Sequence, residues 1–455
     1  MPIEGLIRLK LVNVIRKGRE IREDIDYWSR YARGWIGWRI RRISAAPFGE
    51  VMKFVRYYLH EATLEIERLL EILILERELD DNAFLDAEIY ESYIDGLLFR
   101  WMELRGALEQ RLLRSHSEWL FKSDDAARDC YGDFLRSAER LDLYPLTRFD
   151  PITYLEKSYY TIPAISRFFP VPIIAMPLAG IVNIWNWLAL THETGHDVYY
   201  NFYGVQQEAE QIVADTVKGA EAPVVNIWEL WTSEIFADMF GILMSGPAFY
   251  GSLQEMLTTL PQNISTAEDH VHPIRSIRNV INAVALREIG FVEEADTMEK
   301  RWNDLFAKYQ DKIAHGTLVM DFKQMVEPVE KVVKAVLNHP FKSLRGKAIN
   351  SFVNYTDKDH EQVLELKEKF MKGKIDQTAP SRLILAAARL GYEADSNRPN
   401  CDTVTDASFK SFVTRPEDLA IFRKIKPTSE ELIREYHEKQ FAAVKEKALR
   451  LKGLK

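Results

Sequence analysis

Residues 185–200, "WNWLALTHETGHDVYY", carry two histidines four apart with a glutamate directly after the first: His192, Glu193 and His196. The surrounding residues are apolar, and titratable groups in such a setting need a strong partner. On a helix, positions i and i+4 share a face one turn apart, so both imidazoles point at one spot. Two neutral imidazoles on one face make a zinc-binding edge, and Glu193 then lies beside the ion, within reach of a bound water. Zinc lowers the pKa of that water toward ~7, and the carboxylate can take its proton as it attacks a carbonyl.

A third protein ligand is required. A histidine six residues past the motif, preceded by glycine, would supply it, but those positions hold Phe202 and Tyr199. The alternative is a carboxylate from a second helix, and "NIWELWTSEIFADMFGILMSG" (226–246) carries Glu234 and Asp238 four apart in an apolar run. Two buried carboxylates on one face repel unless a cation or donors hold them. Glu234 as ligand, with Asp238 accepting the outer N–H of a zinc-bound histidine, meets both needs. Glu229 reads as a dipole-favoured acid near the start of that helix.

The same chemistry needs a donor for a tetrahedral oxyanion. "AEDHVHPIRSIRNVINAVAL" offers His270, His272 and Arg278, with Pro273 suited to the first turn of a following helix. "NHPFKSLR" repeats the H-P-x-x-x-x-R pattern at His339 and Arg345. Helix capping is a simpler account of that second copy, so the donor stays open among His270, His272 and His339.

With HETGH at 192–196, EIFAD at 234–238 and HPIRSIR at 272–278, the chain resembles the glutamate-zincin (gluzincin) metallopeptidases, in the branch of the CAAX prenyl endopeptidases and their soluble relatives. The resemblance covers about 170–290 and implies that His192, His196 and Glu234 hold Zn2+ and that Glu193 is the general base. It further implies that Asp238 orients a ligand histidine and that His272 and Arg278 contact substrate or stabilise the oxyanion. It also implies an extended peptide lying against an edge strand ahead of the metal helix, a strand that "VPIIAMP" would supply.

The elements that must position these residues are mostly helices. "EVMKFVRYYLHEATLEIERLLEILILERELDD" places Val51, Val55, Leu59, Ile66, Leu70 and Leu73 near helical spacing, and a second helical run covers 83–113. Residues 168–191 carry no charge, a length that would span a bilayer. Their prolines, Gly180 and two asparagines favour a strand over 171–176, a turn and a buried helix over 184–197. Helical pattern resumes over 301–395, a polar loop follows at 393–418, and a charged last helix ends the chain. The organisation is therefore an N-terminal helical region (1–155), a zincin-like core with a small β-sheet (156–300) and a C-terminal helical region (301–455): a mainly α fold.

Composition bounds the rest. At 28% charged and 47% apolar residues, the chain is globular rather than disordered or multiply membrane-spanning. A net charge of −8 argues against nucleic acid as a partner of the whole chain. Two cysteines, Cys130 and Cys401, exclude a disulfide framework and a thiolate zinc finger, and suit a cytoplasmic setting. No signal-peptide pattern appears at the N-terminus. The first 56 residues hold 13 Lys/Arg against 6 Asp/Glu. There "YWSRYARGWIGWRIRR" sets Tyr27, Tyr31 and Trp35 at helical spacing, either packed on the bundle or offered to a membrane surface or acidic partner. The sequence thus reads as a zinc metallopeptidase acting on peptide or protein substrates. The alternative is a regulatory or interaction protein that keeps a metal-binding peptidase core.

Overall fold

A computed structural model describes residues 3–31, 42–43, 46–76, 81–145, 151–157, 160–161, 172–267 and 269–415, with three isolated positions beyond. The fold is mainly helical. Long helices α1 (Ile3–Tyr31), α2 (Phe48–Glu76) and α3 (Asp81–Gln110) form an N-terminal layer, with the short pair β1 (Arg42–Ile43) and β2 (Ala46–Pro47) between the first two. Val55, Leu59, Ile66, Leu70 and Leu73 are all buried, as their helical spacing requires. Helix α4 (Arg114–Glu139) then leads into a three-stranded sheet of β3 (Ile152–Glu156), β4 (Tyr160–Thr161) and β5 (Ile173–Pro177).

That sheet separates two cores. Ile152, Tyr154, Ile173 and Ala175 join the core built on α1, α2 and α3, whereas Leu155, Ile174 and Met176 join a larger one. The division follows from the alternation of side chains along a strand. Burial of both faces explains why β5 is apolar throughout rather than alternating. Strand order is β3-β5-β4, with β5 parallel to β3 and antiparallel to β4. The "VPIIAMP" strand is therefore central, not an edge: Ala175 pairs with Tyr154 on one side and Tyr160 on the other. At Ile174 and Ala175, which β4 covers, it does not offer the peptide ladder expected of it.

The larger core is built around α5 (Ala189–Asn201), α6 (Val205–Val217), α7 (Ala222–Leu230), α8 (Thr232–Ser245), α9 (Pro247–Leu257), α10 (Arg275–Glu288) and α11 (Val292–Phe306). A hairpin of β6 (Lys312–His315) and β7 (Leu318–Asp321) interrupts the helical pattern read over 301–395. It is followed by α12 (Phe322–Val326), α13 (Val329–Asn338), α14 (Asp357–Met371), α15 (Ser381–Ala394) and α16 (Arg398–Ser411), and residues from 301 onward pack into the same core as α5 and α8. All fourteen residues of α8 are buried, which makes it the axis of this unit.

Several expectations are corrected. The segment 226–246 is two helices, broken at Trp231, so Glu229 lies exposed in the last turn of α7 and not near a helix start. The motif helix begins at Ala189, after a 3-10 turn over Ile184–Asn186. The 393–418 stretch contains α16, because Asn397 caps it and Pro399 sits in its first turn, where a missing N–H costs nothing. Tyr27 is 59% exposed and its neighbour Trp28 is the buried aromatic. The Tyr31 side chain, Trp35 and the charged last helix lie outside the described residues. Among the described residues no helix is long and apolar enough to cross a membrane.

A buried ion pair ties the layers together. Arg111, at the end of α3, donates to both oxygens of Asp124 on α4 at 2.8 Å, and Asp124 also accepts from the Thr153 backbone N–H at 2.7 Å and its hydroxyl at 2.8 Å. Asp124→Ala strands a guanidinium in the interior and is expected to lower unfolding free energy by ~3–5 kcal/mol in denaturant titration.

Candidate metal centre

Helices α5 and α8 cross in close contact, and small residues permit it. A Cβ added to Gly195 would lie 2.8 Å from Cβ of Phe240 and 2.9 Å from Cα of Ala237. The two motif positions without functional groups therefore bring the backbones together, which places the polar residues of both helices face to face. Glu234 sits in the first turn of α8, where the helix dipole favours its negative charge.

The resulting cluster is His192, His196 and Glu234, all buried, with ligand atoms within 4.8 Å of one another. The two Nε2 atoms are 3.1 Å apart. His196 Nε2 is 3.1 Å from Glu234 Oε1, and His192 Nε2 is 3.4 Å from Glu234 Oε2. Ligands at ~2.0–2.1 Å around a tetrahedral ion are roughly 3.3 Å from each other, so the donor set fits one metal ion without rearrangement. Glu193, 4% exposed, lines the same cavity of about 520 Å³ as His192, Glu234, His272 and Arg278.

Behind the cluster, Asp238 collects the outer contacts. It is fully buried, faces His192 Nδ1 at 2.9 Å, and accepts from Arg278 Nε at 2.8 Å, Arg278 Nη2 at 2.7 Å and Asn282 Nδ2 at 2.9 Å. Arg278 Nη2 also lies 3.2 Å from Glu234 Oε2. Burial would raise both carboxyl pKa values, but the opposed charges override it: His196, His192 and Arg278 hold Glu234 well below its ordinary range, and Arg278 with His192 does the same for Asp238. Burial would likewise lower the His192 pKa, yet Asp238 and Glu234 lift it to about 10.

His272 approaches from the other wall, with Nε2 at 3.6 Å from Glu234 Oε1 and Nδ1 at 2.7 Å from Asp269 Oδ2. Asp269 also accepts the backbone N–H groups of Val271 and His272, each at 2.8 Å, which fixes the turn. The stretch leading into this turn is anchored by a parallel bridge from Thr266 to Ala314 in β6. Pro273 precedes α10 by two residues instead of opening it. His270 turns away, its ring 5.1 Å from that of His315. His339 lies beside Glu208 of α6 at 3.6 Å, and Glu208 caps the following 3-10 turn by accepting from Lys342 and Ser343 backbone N–H groups. The second H-P copy thus serves local structure, and Arg345 adopts a left-handed conformation there.

Sequence reading did not single out Asp269, Asn282, Gly195 or Phe249. An acid three residues ahead of a histidine in a turn was a legible signal for the first. The other three required knowledge of which helices meet. No family model, curated protein or solved structure matches the chain.

Two outcomes follow from this geometry. Gly195→Ala is expected to destabilise the protein by ~1–3 kcal/mol and to weaken metal binding, because α5 must move off α8; thermal melts with and without metal read both. Below about pH 10 His192 holds a proton that a ligand nitrogen must lose. In the metal-free chain that charge stabilises the fold fully below pH 6.5, and the contribution fades as pH rises to about 10. Metal uptake at pH 7 should accordingly release about one proton per ion in weakly buffered solution, with apparent affinity rising as pH rises.

Proposed function

We propose that this chain is a zinc-dependent metallopeptidase of the gluzincin type. The observation that carries the reading is that three donors stand at tetrahedral spacing and two of them, His192 and Glu234, line a cavity together with Glu193, a group not needed for holding the ion. Two imidazoles and one carboxylate favour zinc over the oxygen-seeking cations. When bound, the ion supplies Lewis acidity: it lowers the pKa of a coordinated water and polarises a carbonyl oxygen.

The chain's own residues supply the remaining parts. His192, His196 and Glu234 bind the ion, and Asp238 keeps the His192 ring oriented with its Nε2 inward. Glu193 takes a proton from the attacking water and passes it to the leaving amine, so the peptide bond breaks with no net proton change on the carboxylate. His272, oriented through Nδ1–H by Asp269, donates from Nε2 to the oxyanion when both ring nitrogens carry a proton. Arg278 is engaged with Asp238 and Glu234, and its role is to balance the buried carboxylates.

Metal analysis of the purified protein should give about one zinc per chain, lost in His192→Ala. Glu193→Gln should keep the zinc while cleavage of an unstructured protein falls by ~10²–10⁴-fold. Zinc retained by a wild-type chain that cuts nothing would replace this reading with a metal-dependent binding or sensing role.

A further inference from the structure

We propose that the cavity-facing stripe of α9 is a specificity wall, and that the substrate places a large apolar side chain against it, beside the bond to be cut. The inference rests on the metallopeptidase reading and names the substrate class for that same site. Phe249, Ser252, Leu253, Met256 and Leu257 all line the cavity. Their spacing, i, i+3, i+4, i+7 and i+8, is a single helical face. At ~1.5 Å per residue the stripe runs about 12 Å, the span of three to four extended residues at ~3.3 Å each.

The stripe begins at the metal cluster. The Phe249 ring lies parallel to that of His192, with centroids 6.4 Å apart at 12°. It seats there because position 241 is glycine: a Cβ would stand 2.5 Å from the Phe249 ring. Phe249, Leu253 and Leu257 are buried and form a floor, whereas Met256 is 55% exposed at the open side. An unbranched, polarizable side chain over an apolar floor closes readily on an apolar visitor, and covering it removes that surface from water. Pro273 and Ile274 add apolar surface on the facing wall beside Asp269, His272 and Arg275, and Glu255, which also lines the cavity, is paired with Arg389. A charged or very small side chain gains no apolar burial against the α9 face.

The test uses the full zinc-loaded chain carrying Glu193→Gln and fluorescein-labelled heptapeptides that differ at one central position, read by anisotropy. Leu and Phe peptides should bind at least ~10-fold tighter than Gly or Asp peptides. Adding Met256→Asp should erase that preference. Adding Leu260→Asp, at a 61% exposed residue just past α9 and off the cavity wall, should preserve it. Equal affinities across the series, or equal losses in the two variants, would overturn the wall. Incubation of the same peptides with the wild-type chain separates the two ideas. Cuts beside the apolar residue support both. Apolar-selective binding without any cleavage supports the wall and defeats the peptidase reading, and cleavage indifferent to side chain defeats the wall alone.

Discussion

Buried negative charge is the constraint that organises this molecule. Glu193, Glu234 and Asp238 all lie within an apolar core, at 4%, 4% and 0% exposure. Carboxylates in such a place are costly unless donors or cations meet them. Arg278 answers with three contacts to Asp238 and Glu234, Asn282 with a fourth, and His192 with a ring that faces both acids. The two imidazoles and Glu234 are placed where they could hold a metal ion, whose positive charge would add to that balance. The polar network is therefore the reason the core tolerates these residues.

The network holds because the helices around it cannot drift. Gly195 against Ala237 and Phe240 sets the approach of α5 to α8, and Gly241 under Phe249 sets the approach of α9. The wall opposite is a turn and not a helix, yet it is no looser in construction. Asp269 clamps His272 through side chain and backbone together, and the stretch ahead of it is bonded to β6 through Ala267 N–H to Ala314 O at 2.9 Å and Ala314 N–H to Ser265 O at 2.8 Å. A hairpin with no chemistry of its own thus holds the histidine that approaches Glu234.

The sheet plays a different part from the one its sequence suggests. It partitions two cores: α1, α2 and α3 pack on one face, and the helices that carry His192, His196 and Glu234 lie behind the other. β5 pairs with β3 along its whole length and with β4 at Ile174 and Ala175, and the cavity beside the cluster lies between α9 and a wall that includes Thr266, Asp269 and His272. Side chains of α9, not the backbone of β5, line that cavity.

Periodicity and burial logic were enough to read the long helices, the apolar strand near 173 and the four-residue spacings that put His192 with His196 and Glu234 with Asp238, because each is a local consequence of helix or strand geometry. The failures share a cause as well. The break at Trp231 and the helix hidden in the polar 398–411 stretch turn on caps and packing that apolar periodicity does not register. Only the tertiary structure decided that His272 rather than His270 or His339 faces Glu234, that Arg278 serves the buried acids, and that β5 is central. Each of those depends on which distant segments meet, and the sequences H-P-x-x-x-x-R at 272 and 339 are alike until Glu208 claims one and Glu234 stands before the other.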